Sequence, residues 1–179
     1  IDTIRFKGQL DAVQLTYKTN QICVSLSGGH ILSYQVDGQE KLWMSPNAIL
    51  ESGQPIRGGI PVCWPWFGAH ATDESKPAHG FARTSVWTLV DAQDQEDFAS
   101  VTLGLENSVA NTLFPFDCSL ALKVTLTDKL SVELITTNLG NLPIEITQAL
   151  HTYLPISDLD NARILGLEGV EYADKLKGF

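Results

Sequence analysis

Apolar and polar residues alternate with a period of two along much of the chain. The longest run extends from Cys118 to Leu126, where apolar side chains occupy every second position. Because successive side chains of a β-strand point to opposite faces of the sheet, this run predicts a strand with one buried face. The alternation resumes at Leu130, so we expect a hairpin whose two-residue connection is Asp128-Lys129.

Several other segments also predict short strands. Residues 22–26 and 30–36 flank Gly28-Gly29, a pattern typical of a second hairpin. Further candidate strands are 86–90, 99–105, 144–154 and 163–167, and the acidic run 91–97 predicts a solvated turn. No segment shows a helical period. The predicted fold class is therefore all-β, an antiparallel sandwich or barrel.

Residues 51–83 interrupt this pattern with many glycines and prolines, yet they also include Trp64, Trp66 and Phe67. A disordered linker would not be so aromatic. A long ordered loop is more often functional than incidental. An aromatic ring can stack on a sugar or fill a core, and for any one of these rings core filling is the more frequent role.

Composition narrows the classes of function. The 179 residues include 12 Lys+Arg and 21 Asp+Glu, for a formal net charge of -9. This balance opposes nonspecific nucleic-acid binding, and no apolar run is long enough to span a membrane as a helix. Cys23, Cys63 and Cys118 have neither disulfide-framework nor metal-ligand spacing. We expect no nucleic-acid or membrane partner, no metal, and a reducing cytoplasmic location.

Two arginines are candidate anion-binding residues. Arg57 precedes Gly58-Gly59, which lets a ligand approach the backbone, and Arg83 ends the segment HGFAR. A guanidinium can hold a phosphate through two parallel hydrogen bonds. Each arginine could equally pair with an acidic residue at the surface. Their positions around one aromatic loop favour a shared anion.

His151 is the most informative of the four histidines. The strand period places it on the polar face of the predicted strand 144–154, together with Thr147 and Tyr153. An imidazole titrates near neutral pH and can donate or accept a proton. A lone histidine in a strand is more often a structural hydrogen-bonding group, so the residues alone leave both roles open.

Three segments, read together, resemble a known family. They are RGGIPVCWPWFGAH from Arg57, HGFAR from His79 and ALHTYL from Ala149. They are similar to the hexose-6-phosphate mutarotases, the glucose-6-phosphate 1-epimerases of the aldose 1-epimerase-like group. The resemblance covers essentially the whole chain, 1–179, as one partial domain. It implies a galactose mutarotase-like β-supersandwich that binds a small sugar phosphate without a cofactor.

The resemblance also implies roles for individual residues. His151 corresponds to the general acid that protonates the ring oxygen during opening of the sugar. Arg57 and Arg83 correspond to substrate-binding residues, chiefly for the phosphate, and His79 to a histidine that hydrogen-bonds the sugar. Trp66 is a further candidate for substrate binding. Family members continue past the position of Phe179 and supply a general-base Glu there, so we expect this chain to lack the base.

The leading hypothesis is thus an isomerase that interconverts the α and β anomers of hexose 6-phosphates. A second hypothesis is a noncatalytic carbohydrate-binding β-sandwich that stacks its aromatic loop on sugar. A third makes Cys63 a nucleophile beside a histidine, although its neighbours Val62 and Trp64 predict a buried, inert thiol.

Overall fold

The computed structural model describes residues 1–172 and 174; the remaining residues of the predicted domain, 173 and 175–179, lie outside the described residues. Within the described part the chain is almost entirely strand and loop. The strands are β1 Asp2–Phe6, β2 Leu10–Tyr17, β3 Asn20–Ser25, β4 His30–Val36, β5 Gln39–Glu40, β6 Val62–Cys63, β7 Thr88–Asp94, β8 Ala99–Asn107, β9 Cys118–Leu126, β10 Leu130–Asn138 and β11 Ala149–Leu150.

Two antiparallel meanders make up most of the fold. Strands β1 to β5 form a five-stranded sheet and β7 to β10 a four-stranded sheet, each in sequence order, while β6 pairs with β11. The only helical segments in the described residues are short 3-10 turns, Ala82–Thr84 and Leu159–Asn161. None of the described helices is long and apolar enough to cross a membrane. The predicted all-β fold class is confirmed.

Strand β9 shows how alternation builds the core between the sheets. Its apolar series from Cys118 to Leu126 is buried, whereas Lys123 on the other face is exposed. The buried face joins one hydrophobic cluster with Val13 and Leu15 of the five-stranded sheet. Full burial of a Val or Leu side chain contributes roughly 1.5–3 kcal/mol, so this interface is a major source of stability. The sandwich predicted from the period is present.

The five-stranded sheet is also covered on its second face. Leu10, Ala12, Cys23 and Leu32 form a separate cluster with Ile56, against which Met44, Ala48 and Leu50 pack. The long segment that follows β5 therefore lies over this face. Because Ile56 is part of the cluster, this packing anchors the chain immediately before Arg57.

Both predicted hairpins are present, and one prediction about a connection was wrong. Strands β3 and β4 pair across Gly28-Gly29, with a bulge between Cys23 and Val24. Strands β9 and β10 pair with Leu126 opposite Leu130, so their connection is three residues, 127–129, rather than two. The Thr127 N–H donates to the Lys129 carbonyl within this loop. Thr127 therefore belongs to the connection, and β9 ends one residue earlier than a two-residue connection would require.

The remaining strand predictions had different outcomes. Residues 99–105 lie in β8 as predicted, whereas the strand predicted at 86–90 is displaced and runs from Thr88 to Asp94. Residues 91–94, the first part of the turn predicted at 91–97, instead pair with β8 as an exposed edge strand. An edge strand needs no apolar face when neither of its faces is covered, which explains why its sequence reads as solvated.

The prediction of a strand at 163–167 was wrong. Ile164 and Leu165 are 82% and 81% exposed, and these residues have no sheet partner in the described chain. An extended segment becomes a stable strand only when a neighbour satisfies its backbone groups. Residues 163–167 have the apolar side chains of a strand but no neighbouring strand in the described chain.

Replacement of Leu122 by Ala should be strongly destabilising, because the fully buried side chain lies in the middle of β9. We expect Leu122→Ala to lower the free energy of unfolding by about 2–5 kcal/mol. Lys123→Ala, on the exposed face of the same strand, should change it by less than about 0.5 kcal/mol. Urea denaturation of the full-length protein measures both, and similar losses would contradict the assigned faces.

Candidate active site

His151 lies on an extended segment that runs antiparallel to the aromatic loop. The backbone N–H groups of Thr147, His151 and Tyr153 donate to the carbonyls of Pro65, Pro61 and Gly59, at 3.0, 3.0 and 2.9 Å. Between them, Ala149–Leu150 pairs with Val62–Cys63 in the same register. Residues 147–153 therefore follow residues 59–65 as one continuous ladder.

The predicted strand 144–154 is thus only partly correct. Its regular part is limited to Ala149–Leu150, although the backbone bonds continue on both sides. Pro61 and Pro65 have no N–H and cannot return a hydrogen bond to the opposing segment. The predicted face is right for Leu150, which packs on the core, and wrong for Leu154, which is 67% exposed.

A closed ring of three backbone hydrogen bonds joins this segment to the loop that carries Arg57. The Tyr153 N–H donates to Gly59 O at 2.9 Å, Gly59 N–H donates to Trp43 O at 2.8 Å, and Trp43 N–H donates to Tyr153 O at 2.9 Å. Gly59 has φ +64°, and a Cβ there would overlap the Ile31 carbonyl oxygen. Glycine is therefore required where the three segments meet.

Arg83 is held by the glycine turn of the β3–β4 hairpin. Gly28 N–H donates to Ser85 O at 2.7 Å. Gly28 has φ +81°, and a Cβ would lie 2.5 Å from the Arg83 carbonyl oxygen, so only glycine allows this approach. The Arg83 side chain donates from Nη2 to Ala78 O at 2.7 Å, which orients the guanidinium.

These segments surround a cavity of about 390 Å³, lined among others by Arg57, Cys63, His79, Arg83, His151 and Tyr153. Four of the five residues predicted for the site, namely Arg57, His79, Arg83 and His151, therefore come together. The volume is within the range of small-molecule sites.

The two histidines of the cavity lie close to each other. Their ring centroids are 6.0 Å apart with the planes nearly perpendicular, and Phe67 packs beside both, at 5.0 Å from His79 and 6.0 Å from His151. His79 has φ +67°, an uncommon backbone conformation for a residue with a side chain. Gly68 N–H donates to His79 Nδ1 at 3.1 Å, which assigns the proton of the neutral ring to Nε2.

Tyr153 is a cavity residue that was not among the predicted site residues. Its ring stacks on His151 with centroids 4.9 Å apart and an interplanar angle of 26°, and it also stacks on Trp43 at 5.8 Å. This row of rings limits the orientations open to the imidazole. The strand period could have indicated Tyr153, because it follows His151 by two residues and faces the same side.

The local charge of the cavity is positive although the net charge of the chain is -9. Among the described residues, no carboxylate lies within salt-bridge distance of Arg57 or Arg83, and none lines the cavity. The alternative, in which each arginine pairs with an acidic residue at the surface, is therefore not observed among the described residues. Two guanidinium groups remain available to an anion.

Trp66 lies apart from this cavity. It is 8% exposed, its Nε1 donates to Pro77 O at 2.9 Å, and its ring meets the edge of His70 at 4.8 Å. Trp64 is fully buried and donates from Nε1 to Thr136 Oγ1 at 3.0 Å. Trp64 is therefore part of the main hydrophobic core, Trp66 packs against other residues of the aromatic loop, and Phe67 is 48% exposed.

Cys63 lines the cavity but has the properties of an inert thiol. Its side chain is 1% exposed, and burial raises the pKa of the thiol although nearby Arg83 acts in the opposite direction. The thiolate is the nucleophilic form, so a raised pKa disfavours attack at neutral pH. No group of three or more potential metal ligands occurs among residues 1–172 and 174.

His30 is a buried group that was not singled out from the sequence. It is 0% exposed, and its Nε2 lies 2.7 Å from the carbonyl oxygen of Gly58, directly after Arg57. A carbonyl only accepts, so the proton of the neutral ring is on Nε2. Burial lowers the pKa of His30 to about 4, so the ring is neutral at physiological pH.

Comparison with known proteins identifies the family. The sequence model described as aldose 1-epimerase matches residues 11–178. A protein of Escherichia coli (strain K12) named "Putative glucose-6-phosphate 1-epimerase" is 35% identical over 170 residues, which cover 94% of this chain and 56% of that protein. The chain belongs to the aldose 1-epimerase family, and it spans little more than half the length of this relative.

Solved structures agree with the fold. A crystal structure described as a "putative mutarotase (YeaD)" from Salmonella typhimurium superposes with a TM-score of 0.76 at 31% identity, covering 86% of this chain and 51% of that one. A galactose mutarotase-like protein from Clostridium acetobutylicum has a TM-score of 0.62 at 17% identity, covering 78% and 49%. The predicted galactose mutarotase-like fold is confirmed.

The titration of His30 should make stability depend on pH. An unfolded histidine titrates near 6.5, whereas the folded pKa of His30 is about 4. The unfolded state therefore binds more protons between these values, and the contribution of about 3 kcal/mol that is present above pH 6.5 is lost as pH falls to 4.

Urea denaturation of the full-length protein between about pH 7 and pH 4.5 measures this effect. His30→Gln has no titrating group at this position, so its free energy of unfolding should fall less steeply over the same interval. Identical pH profiles of the two proteins would contradict the lowered pKa.

Proposed function

We propose that this chain carries the phosphate-binding and general-acid residues of an isomerase that interconverts the α and β anomers of hexose 6-phosphates, glucose 6-phosphate in particular. The observation that carries the proposal is the cavity in which Arg57 and Arg83, without carboxylate partners in the described chain, lie beside His79 and His151. Membership of the aldose 1-epimerase family supports the reaction. The names of the relatives support the substrate.

The reaction requires acid and base groups on one sugar ring. A base removes the proton of the anomeric hydroxyl while an acid protonates the ring oxygen; the ring opens, the carbon-carbon bond rotates, and the ring closes with either configuration. His151 acts as the acid, because it lines the cavity and its ring is oriented by Tyr153. Positioned acid or base groups typically contribute about 10²- to 10⁴-fold.

Three other cavity residues bind and orient the substrate. His79 hydrogen-bonds a sugar hydroxyl, because it lines the cavity beside His151. Arg57 and Arg83 hold the phosphate, to which a guanidinium can donate two parallel hydrogen bonds. No described cavity residue is a carboxylate, so the base is expected from another part of the full-length protein.

The cysteines support a reducing location. Cys23, Cys63 and Cys118 are all free and buried, as is common in proteins of the cytoplasm. We therefore place the enzyme in the cytoplasm as part of this proposal.

His151→Asn should abolish most of the enzymatic acceleration, because the amide cannot supply the proton. Magnetisation-transfer NMR on glucose 6-phosphate measures anomer exchange in the full-length protein, and we expect a loss of about 10²- to 10⁴-fold. His70→Asn is the matched control, since His70 packs on Trp66 and does not line the cavity.

Undiminished exchange in His151→Asn would reject the acid assignment. Wild-type protein that binds glucose 6-phosphate without accelerating its exchange would favour the noncatalytic carbohydrate-binding hypothesis instead.

Arg57→Ala and Arg83→Ala should each weaken binding of the phosphorylated sugar selectively. Loss of hydrogen bonds to a charged group costs about 1.5–3 kcal/mol, which corresponds to roughly 10- to 150-fold in affinity. Titration calorimetry with glucose 6-phosphate and with glucose separates the phosphate contribution from sugar binding. Arg163→Ala, at an exposed position outside the cavity, is the control. Equal losses for both sugars would reject the phosphate role.

A further inference from the structure

We propose that His30 is a positioning residue for Arg57, acting through the carbonyl oxygen of Gly58, and that it thereby sets the affinity for the substrate's phosphate. The consequence for phosphate rests on the proposed function above. The positioning itself rests only on the contacts of His30 with the loop.

The environment of His30 indicates that its ring is present to hold the Arg57 loop through a hydrogen bond. The side chain is fully buried at the start of β4, and its Nδ1 has no hydrogen-bond partner among the described residues. A buried polar atom without a partner is destabilising, and an apolar side chain would avoid this cost. What an apolar side chain cannot supply is the hydrogen bond from Nε2 to Gly58 O, 2.7 Å long.

Arg57 depends on its backbone for its position. The side chain is exposed, and its guanidinium makes no hydrogen bond to the described residues. The backbone around it is held at three successive residues: Ser45 N–H donates to Arg57 O at 3.1 Å, His30 Nε2 donates to Gly58 O, and Gly59 N–H donates to Trp43 O at 2.8 Å. The middle contact is the one made by a side chain.

The imidazole of His30 packs closely against the backbone of the Arg57 loop, so a substitution of His30 acts directly on this loop. A Cβ on Gly59 would lie 3.0 Å from His30 Nε2, and a Cβ on Gly58 would lie 2.5 Å from Met44 Cα. The loop is therefore confined between the imidazole and the chain at Met44. If the anchoring bond is lost, the Arg57 loop gains conformations in which the two guanidinium groups no longer converge, and binding must restrict them again.

The experiment compares three substitutions of His30 in the full-length protein. The amide nitrogen of Gln reaches about as far as Nε2 of histidine, whereas that of Asn reaches only to the position of Nδ1, and Leu has no donor. We expect His30→Asn and His30→Leu to raise KM for glucose 6-phosphate about two- to tenfold, the range that corresponds to one hydrogen bond. We expect kcat for glucose 6-phosphate and KM for glucose to change little in these two variants. We expect His30→Gln to keep a KM for glucose 6-phosphate near that of the wild type.

Hydrogen exchange of the Gly59 N–H provides a readout that does not depend on activity. Its protection should fall in the Asn and Leu variants and be retained in the Gln variant, because the bond to Trp43 O lies one residue from the anchored carbonyl. If wild-type protein does not accelerate anomer exchange, the proposed function fails, while this measurement still tests the positioning.

Three results would overturn the inference. They are wild-type KM and Gly59 protection in His30→Leu, a Gln variant as impaired as the Asn variant, and equal losses for phosphorylated and free sugar in properly folded variants. Thermal unfolding of each variant identifies those that are folded.

Discussion

Backbone hydrogen bonds between residues 59–65 and 147–153 hold together two of the three parts of the chain that form the candidate site, the third being the segment with His79 and Arg83. One part carries Arg57 and leads into the aromatic loop, and the other carries His151 and Tyr153. Because every bond of this ladder has the same register, backbone geometry sets the position of His151 relative to residues 59–65, the segment that begins two residues after Arg57. The ring of bonds among Trp43, Gly59 and Tyr153 closes the end of the ladder nearest the cavity.

Charge in this protein has to be considered locally. The net charge of -9 would repel a sugar phosphate at long range, but screening in physiological salt limits such repulsion to about 8 Å. Within the cavity the relevant charges are the guanidinium groups of Arg57 and Arg83, and the described chain provides no carboxylate to neutralise them there. Burial keeps His30 neutral beneath the same loop, so His30 adds no charge to the two arginines.

The sequence pattern predicted strands well where one face is buried and the other is exposed to solvent. Strand β9 has the predicted bounds because its burial alternates along its whole length. Strand β2 was missed because Ala12 packs in one cluster and Val13 in the other, so burial on both faces removes the alternation. The segment at 163–167 has the apolar character of a strand without a partner in the described chain.

The sequence by itself determined the all-β class, the hairpins and, through three motifs, four residues that lie in one cavity. Only the tertiary structure decided that Trp66 is packed away from that cavity, that Tyr153 stacks on His151, and that His30 supports the loop after Arg57. The physical reason is sequence separation. Local alternation reports which face of a strand is buried, whereas a contact such as that between His30 and Gly58 exists only after distant segments have packed together.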